Sequence, residues 1–250
     1  MEIDKQKIMK RLFTSLFCFL SVIAFSQSTE KIYLSGIDSK HTVQWDFFCT
    51  DGRKSNVWSK IDVPSCWELQ GFGNYNYGRD YKTNGKNSRF NDEKGMYKYT
   101  FHVPAHWKGR KVKIVFDGSM TDTDVKINGV SAGVLHKGSF YRFNYDISTL
   151  LKYNANNTLE VTVSKMSEDA SVNNAERLAD YWVFGGIFRP VFLEAEPLTH
   201  MERVGIDAKH DGRFAFNLFT EGLNTDAKIN YSILDQQGLS LIHISEPTRH

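Results

Sequence analysis

Residues 97–103 read YKYTFHV, and the fold turns on them: Tyr97, Tyr99, Phe101 and Val103 fall on one side of an extended chain, Lys98, Thr100 and His102 on the other. A period of two marks a strand with one buried and one wet face. Outward from it, Val112, Ile114 and Phe116 repeat the alternation, as do Leu159, Val161 and Val163, and then Val191 and Leu193. Val125 and Ile127 run into Asn128-Gly129, a dipeptide that tolerates the positive φ angles of a type I′ turn, so a hairpin is predicted there. Helical periodicity is nearly absent from Lys31 to Glu196. Short strands joined by polar loops predict an all-β domain, a two-sheet sandwich of jelly-roll type.

Glu196-Pro197-Leu198 interrupts this pattern, because proline cannot donate to a ladder. A new alternation follows: Val204 and Ile206, then Phe214, Phe216 and Leu218, then Ile229, Tyr231 and Ile233. The chain thus divides into a jelly-roll domain over 27–197 and the start of an immunoglobulin-like β-sandwich over 198–238. Such a sandwich takes about 100 residues, so the natural polypeptide is expected to continue beyond Gly238. Residues 239–249 read LSLIHISEPTR and resemble a translated transposase adapter from library preparation, so 239–250 are expected to be a non-native tail.

At the other end, Lys5, Lys7, Lys10 and Arg11 precede the apolar stretch Leu12–Phe25, and Ala24-Phe25-Ser26 places small residues at cleavage spacing. The stretch is shorter than the roughly 20 residues a spanning helix needs, so residues 1–26 read as a secretory signal peptide. The product is expected to be periplasmic or extracellular, with no membrane attachment after cleavage. Cys18 would be discarded, leaving Cys49 and Cys66 either as one disulfide or as two thiols.

Composition excludes several classes. Hydrophobic residues at 41% and charged residues at 24% fit neither wholesale disorder nor a multi-span membrane protein. A net charge of +2 without a basic stripe gives nucleic acid no electrostatic footing. Gly71-x-Gly73 lacks a third glycine and a βαβ setting, the histidines lack zinc-ligand spacing, and no Gly-x-Ser-x-Gly elbow occurs.

The most specific local signal is residues 180–191, DYWVFGGIFRPV. It resembles glycoside hydrolase family 2, where Asp-x-Trp-x-x-(Ser or Gly)-Gly-Ile-Phe-Arg closes the N-terminal sugar-binding domain. Pro190 stands where an acidic residue is frequent. Residues 63–73, VPSCWELQGFG, the run from Asp117-Gly118 to Asn128-Gly129, and His136, Gly138, Phe140, Phe143, Asp146 and Ile147 are similar to further segments of that family, so the resemblance spans Trp45 to Leu193.

The resemblance implies a retaining hydrolase acting on β-galactosides or related β-glycosides. In β-galactosidases of the family the aspartate matching Asp180 touches sugar and a sodium ion, so Asp180 is implied as substrate-binding and as a metal ligand, for sodium or magnesium in the full enzyme. Counting back from Gly95, Asn84 matches a second substrate contact, although the loop from Asn74 to Lys94 departs from the galactosidase pattern. Both catalytic glutamates belong to a barrel that follows the immunoglobulin-like domain. No catalytic residue or cofactor is therefore expected in this chain, whose implied partners are a β-glycoside and that barrel; a homo-oligomer is left open.

The residues also read without the family. Retention needs two carboxyls about 5 Å apart, and no such pair stands out. Gly185-Gly186 marks positive φ or a close approach, and Arg189 could fork onto a carboxylate. The glycines and Trp182 read more simply as a buried turn locking two strands than as ligand contacts. Asp180 could equally be a solvated loop charge or pair with Arg177. Trp67, Tyr75, Tyr77 and Tyr81 could form an aromatic platform, with core burial the simpler reading for Trp67. The alternative function is a stand-alone carbohydrate-binding module or lectin; a third is a scaffold without ligand contact.

Overall fold

The structure, a computed structural model, describes residues 28–80, 91–223 and 227–247. The signal segment, Tyr81 and Asn84 lie outside the described residues. In chain order the elements begin with β1 (Glu30–Tyr33), β2 (Val43–Cys49), β3 (Trp58–Val63), β4 (Asn76–Tyr77), β5 (Lys94–Val103) and β6 (Lys111–Phe116). Next come β7 (Asp122–Ile127), β8 (Val130–Ser131), β9 (Phe143–Asp146), β10 (Ala155–Ser164), α1 (Ala170–Glu176), β11 (Trp182–Val183) and β12 (Val191–Glu196). The last four are β13 (His200–Ala208), β14 (Phe214–Glu221), β15 (Lys228–Leu234) and β16 (Ser240–Pro247).

Strands β3-β2-β5-β10-β7-β8 form one sheet and β1-β12-β6-β9 the facing one, giving the jelly-roll sandwich that the alternation predicts. β5 lies mid-sheet, pairing Phe47 with Tyr97 on one side and Leu159 with Tyr99 on the other. Its buried positions interdigitate with Val112, Ile114, Val191 and Leu193 of the facing sheet in one core cluster. On the wet face Lys98 stands between Asp46 and Glu160 in register, and Lys60 pairs with Asp46 at 2.7 Å. Opposite charges directly across a ladder stabilise it and hold its register. Asn128 (φ 53°) and Gly129 (φ 81°) make the predicted type I′ turn between β7 and β8.

Some local elements escape the period-two reading, among them a 3-10 turn at Ala105–Trp107. Trp67–Gln70 forms another, and α1 is capped by Asp169, whose carboxylate accepts from the Ser171 N–H at 2.9 Å. α1 buries no residue, so it carries no apolar stripe to reveal it.

Cys49 and Cys66 are both free thiols, and burial pushes them up to about 11 and about 12, so both stay protonated at neutral pH. Beyond Pro197 the strands pair as two hairpins, β13 with β14 and β15 with β16, and Phe216 meets Tyr231 with ring centres 4.9 Å apart. Lys111 to Glu221 at 2.6 Å ties this region to the sandwich, while Lys113 to Glu196 at 2.7 Å braces the end of β12. Among the described residues no helix is long and apolar enough to cross a membrane.

Candidate functional site

The closing segment after α1 is zipped onto the sandwich by its own backbone. Trp67 N–H donates to the Gly185 carbonyl at 3.0 Å, Ser65 N–H to the Ile187 carbonyl at 2.8 Å, and Met120 and Gly186 exchange a pair of hydrogen bonds. A side chain at Gly185 would place Cβ 2.1 Å from the Trp67 ring, and Gly186 holds φ at 127°. Both glycines therefore serve the close approach expected of them.

Beneath this segment lies a charge cluster that the sequence reading missed. Lys165 Nζ lies 2.8 Å from Glu68 and 2.8 Å from Glu93, with all three side chains fully buried. Lys165 also donates to the Asn74 carbonyl, Glu93 accepts from the Asn74 N–H at 2.9 Å, and both oxygens of Glu68 accept from the Gly185 N–H at 3.1 Å. Burial drives the Glu68 carboxyl above the usual carboxylate range, while Lys165 draws it down. Arg177, also buried, donates through Nη2 to the Phe184 carbonyl. Together these bonds fix the roots of the closing segment and tie Asn74, just ahead of β4, to Glu93, just ahead of β5.

β11 pairs with β4, Trp182 opposite Tyr77 and Val183 opposite Asn76. Strand alternation sends Val183 inward and Trp182 outward, so Trp182 is 53% exposed, which corrects the expectation of a buried turn residue. Trp67 is fully buried, as its core reading has it. Tyr75 and Tyr77 meet the Trp182 ring edge-on, with centres 5.9 and 5.6 Å away.

Asp180 is 57% exposed and lies 3.4 Å from Arg79, not Arg177. Arg177 is instead buried, with its Nη2 donating to the Phe184 carbonyl. Arg189 also differs from expectation: it donates to the carbonyls of Asp117 and Phe140 at 3.3 Å each and stacks on Phe188, whereas Arg142 takes the Asp117 carboxylate at 2.6 Å. Among the described residues no group of three His, Cys, Asp or Glu side chains could hold a metal ion. Asp180 offers a cation one carboxylate, already beside Arg79, so the described residues do not by themselves make a sodium or magnesium site.

A family model described as glycosyl hydrolases family 2, sugar binding domain, matches residues 40–197. A β-galactosidase from Psychromonas ingrahamii is 29% identical over 177 residues, which is 70% of this chain and 16% of that protein. Another, from Thermoanaerobacter pseudethanolicus, is 38% identical over 109 residues, 43% of this chain and 14% of that protein. The chain thus spans well under a fifth of either relative's length. A solved β-glucuronidase from Ruminococcus gnavus, in complex with uronic isofagomine, shares the fold at a TM-score of 0.65 and 19% identity, over 89% of this chain and 38% of that one.

Proposed function

The chain belongs to glycosyl hydrolase family 2, and from that premise we propose that it is the non-catalytic, sugar-binding part of an exported retaining hydrolase of β-galactosides or related β-glycosides. The observation that carries this reading is the placement of Asp180: an exposed carboxylate on a segment whose roots are rigidly held. A carboxylate so held accepts sugar hydroxyls and fixes a glycoside against groups supplied from elsewhere. Its exposed pair with Arg79 is weak enough to be exchanged for a ligand. Asn84, which lies outside the described residues, is proposed as a second contact, and the remaining ligands of any cation at Asp180 would likewise come from outside them.

Hydrolysis belongs elsewhere in this proposal. Glu68 and Glu93, brought together on Lys165, have no access to solvent and cannot reach a glycosidic oxygen. Glu196 and Glu221 flank His200 but are each ion-paired to a lysine. The chain is therefore expected to bind methyl β-D-galactopyranoside, read by ligand-observed NMR, while releasing no nitrophenol from nitrophenyl β-galactoside. Asp180→Ala is expected to weaken binding about tenfold, the loss of a charge-assisted hydrogen bond. Turnover by the purified chain, or unchanged affinity in Asp180→Ala, would sink the proposal.

A further inference from the structure

Trp182 is exposed at a place where exposure is unnecessary for folding. Its strand partner Tyr77 and neighbour Val183 already satisfy the two-stranded pairing of β4 and β11, and a large apolar ring left in water gains nothing for stability. Yet the ring is firmly placed. Tyr75 and Tyr77 buttress it edge-on, and Tyr75 is itself held by its hydroxyl on the Glu68 carbonyl at 3.2 Å and by the Arg53 guanidinium 4.9 Å from its ring centre. Tyr75 is 46% exposed and stands across the indole at an interplanar angle of 84°, so the outward apolar surface is the Trp182 ring itself, braced by Tyr75. Polar groups of both signs lie close along the chain: Asp180, two residues before Trp182, and Arg79, two after Tyr77, stand 3.4 Å apart.

An immobilised indole with a carboxylate and a guanidinium on the segments that carry it suits a ligand with one apolar face and a polar circumference. A pyranose has that form: axial C–H bonds on a face, hydroxyls around the edge. A purely apolar partner would desolvate these two charges without offering them a hydrogen bond. We propose that Trp182, supported by Tyr75, is a stacking platform for the C–H face of a pyranose ring. The platform rests on the sugar-binding reading above and adds to it the aromatic surface that supplies binding area, where Asp180 supplies direction. Its placement follows from the buried Glu68–Lys165–Glu93 cluster, because Glu68 anchors both the Gly185 N–H and, through its carbonyl, Tyr75.

The test titrates the full chain with methyl β-D-galactopyranoside and, separately, methyl β-D-glucuronide, by ligand-observed NMR. Trp182→Ala is expected to weaken binding of whichever sugar the chain takes by tenfold or more, and Trp182→Phe by threefold or less. Trp58 is the control, an aromatic of comparable exposure (44%) on the outer strand β3, and Trp58→Ala should bind as wild type. A wild type that binds neither sugar brings down the sugar-binding reading and the platform together. A wild type that binds while Trp182→Ala binds equally well leaves that reading standing and overturns the platform. Equal losses in Trp182→Ala and Trp58→Ala overturn it as well, and unchanged thermal melting of the variants separates lost stacking from lost folding.

Discussion

Glu30 shows how much of a strand's attachment can rest on a single side chain. One carboxylate oxygen meets His106 at 2.9 Å and the Trp107 indole N–H at 3.0 Å, and the other accepts from Arg110. The bond with His106, then that with Trp107, then Arg110, hold the carboxyl down to about 2 from an ordinary 4.5. A carboxyl lowered in the folded state stabilises it above the unfolded value, and that contribution is lost as pH falls from about 4.5 toward about 2. The group is partly exposed and screened, so its worth is on the order of 1 kcal/mol. Glu30→Gln is accordingly expected to melt below wild type at pH 6 and level with it near pH 2. Melting curves across that range check this, and a gap that stays constant with pH would refute it. Nothing local in the sequence announces such contacts: His106 lies 76 residues from Glu30, and Lys165 lies 72 from Glu93. Asp180 was legible only through its motif, and its partner Arg79 was not legible at all, because pairing depends on where two loops meet.

Elements were far more legible than residues. β5, β6, β7, β10 and β12 all fall where the apolar alternation puts them, and Asn128-Gly129 fixes their hairpin, since a buried face imposes its period on the chain directly. What escaped were pieces whose form is set by the surroundings: the 3-10 turn at Trp67, α1 with its solvated faces, and the outward turn of Trp182. The two-stranded sheet of β4 and β11 is too short for any period to show, and its orientation is imposed by the segment beneath. Gly185 is the hinge of that imposition. Gly185→Ala would drive a methyl into the Trp67 ring, which is itself walled in by Phe47. A destabilisation of about 2–3 kcal/mol is expected from this overpacking, with loss of sugar binding as the segment shifts. Chemical denaturation reads the first and ligand-observed NMR the second; a variant as stable as wild type would mean that the close approach is not required.

At the scale of the whole chain, stability and the candidate site are concentrated in one body. Among the described residues, the hydrophobic core cluster draws its buried members from Leu34 to Ala195, with none from the hairpins beyond Pro197. Those hairpins instead leave Met201, Val204, Ile206 and Phe214 exposed, an apolar surface that a stable unit would cover. Their ties to the sandwich include the partly exposed pair of Lys111 with Glu221, of a kind that contributes little, and a single more buried approach of His200 to Glu196 at 3.6 Å. A chain of residues 28–197 should therefore keep the fold and the sugar-binding surface together. Its melting midpoint is expected within about 4 °C of the 250-residue chain, corresponding to roughly 1 kcal/mol at this size. Binding of a fluorescent apolar dye should fall as the exposed hairpin faces are removed. If the midpoint instead dropped by ten degrees or more, the region after Pro197 would be a structural partner of the sandwich, and Asp180 and Trp182 would owe their placement to more than the core described between β1 and β12.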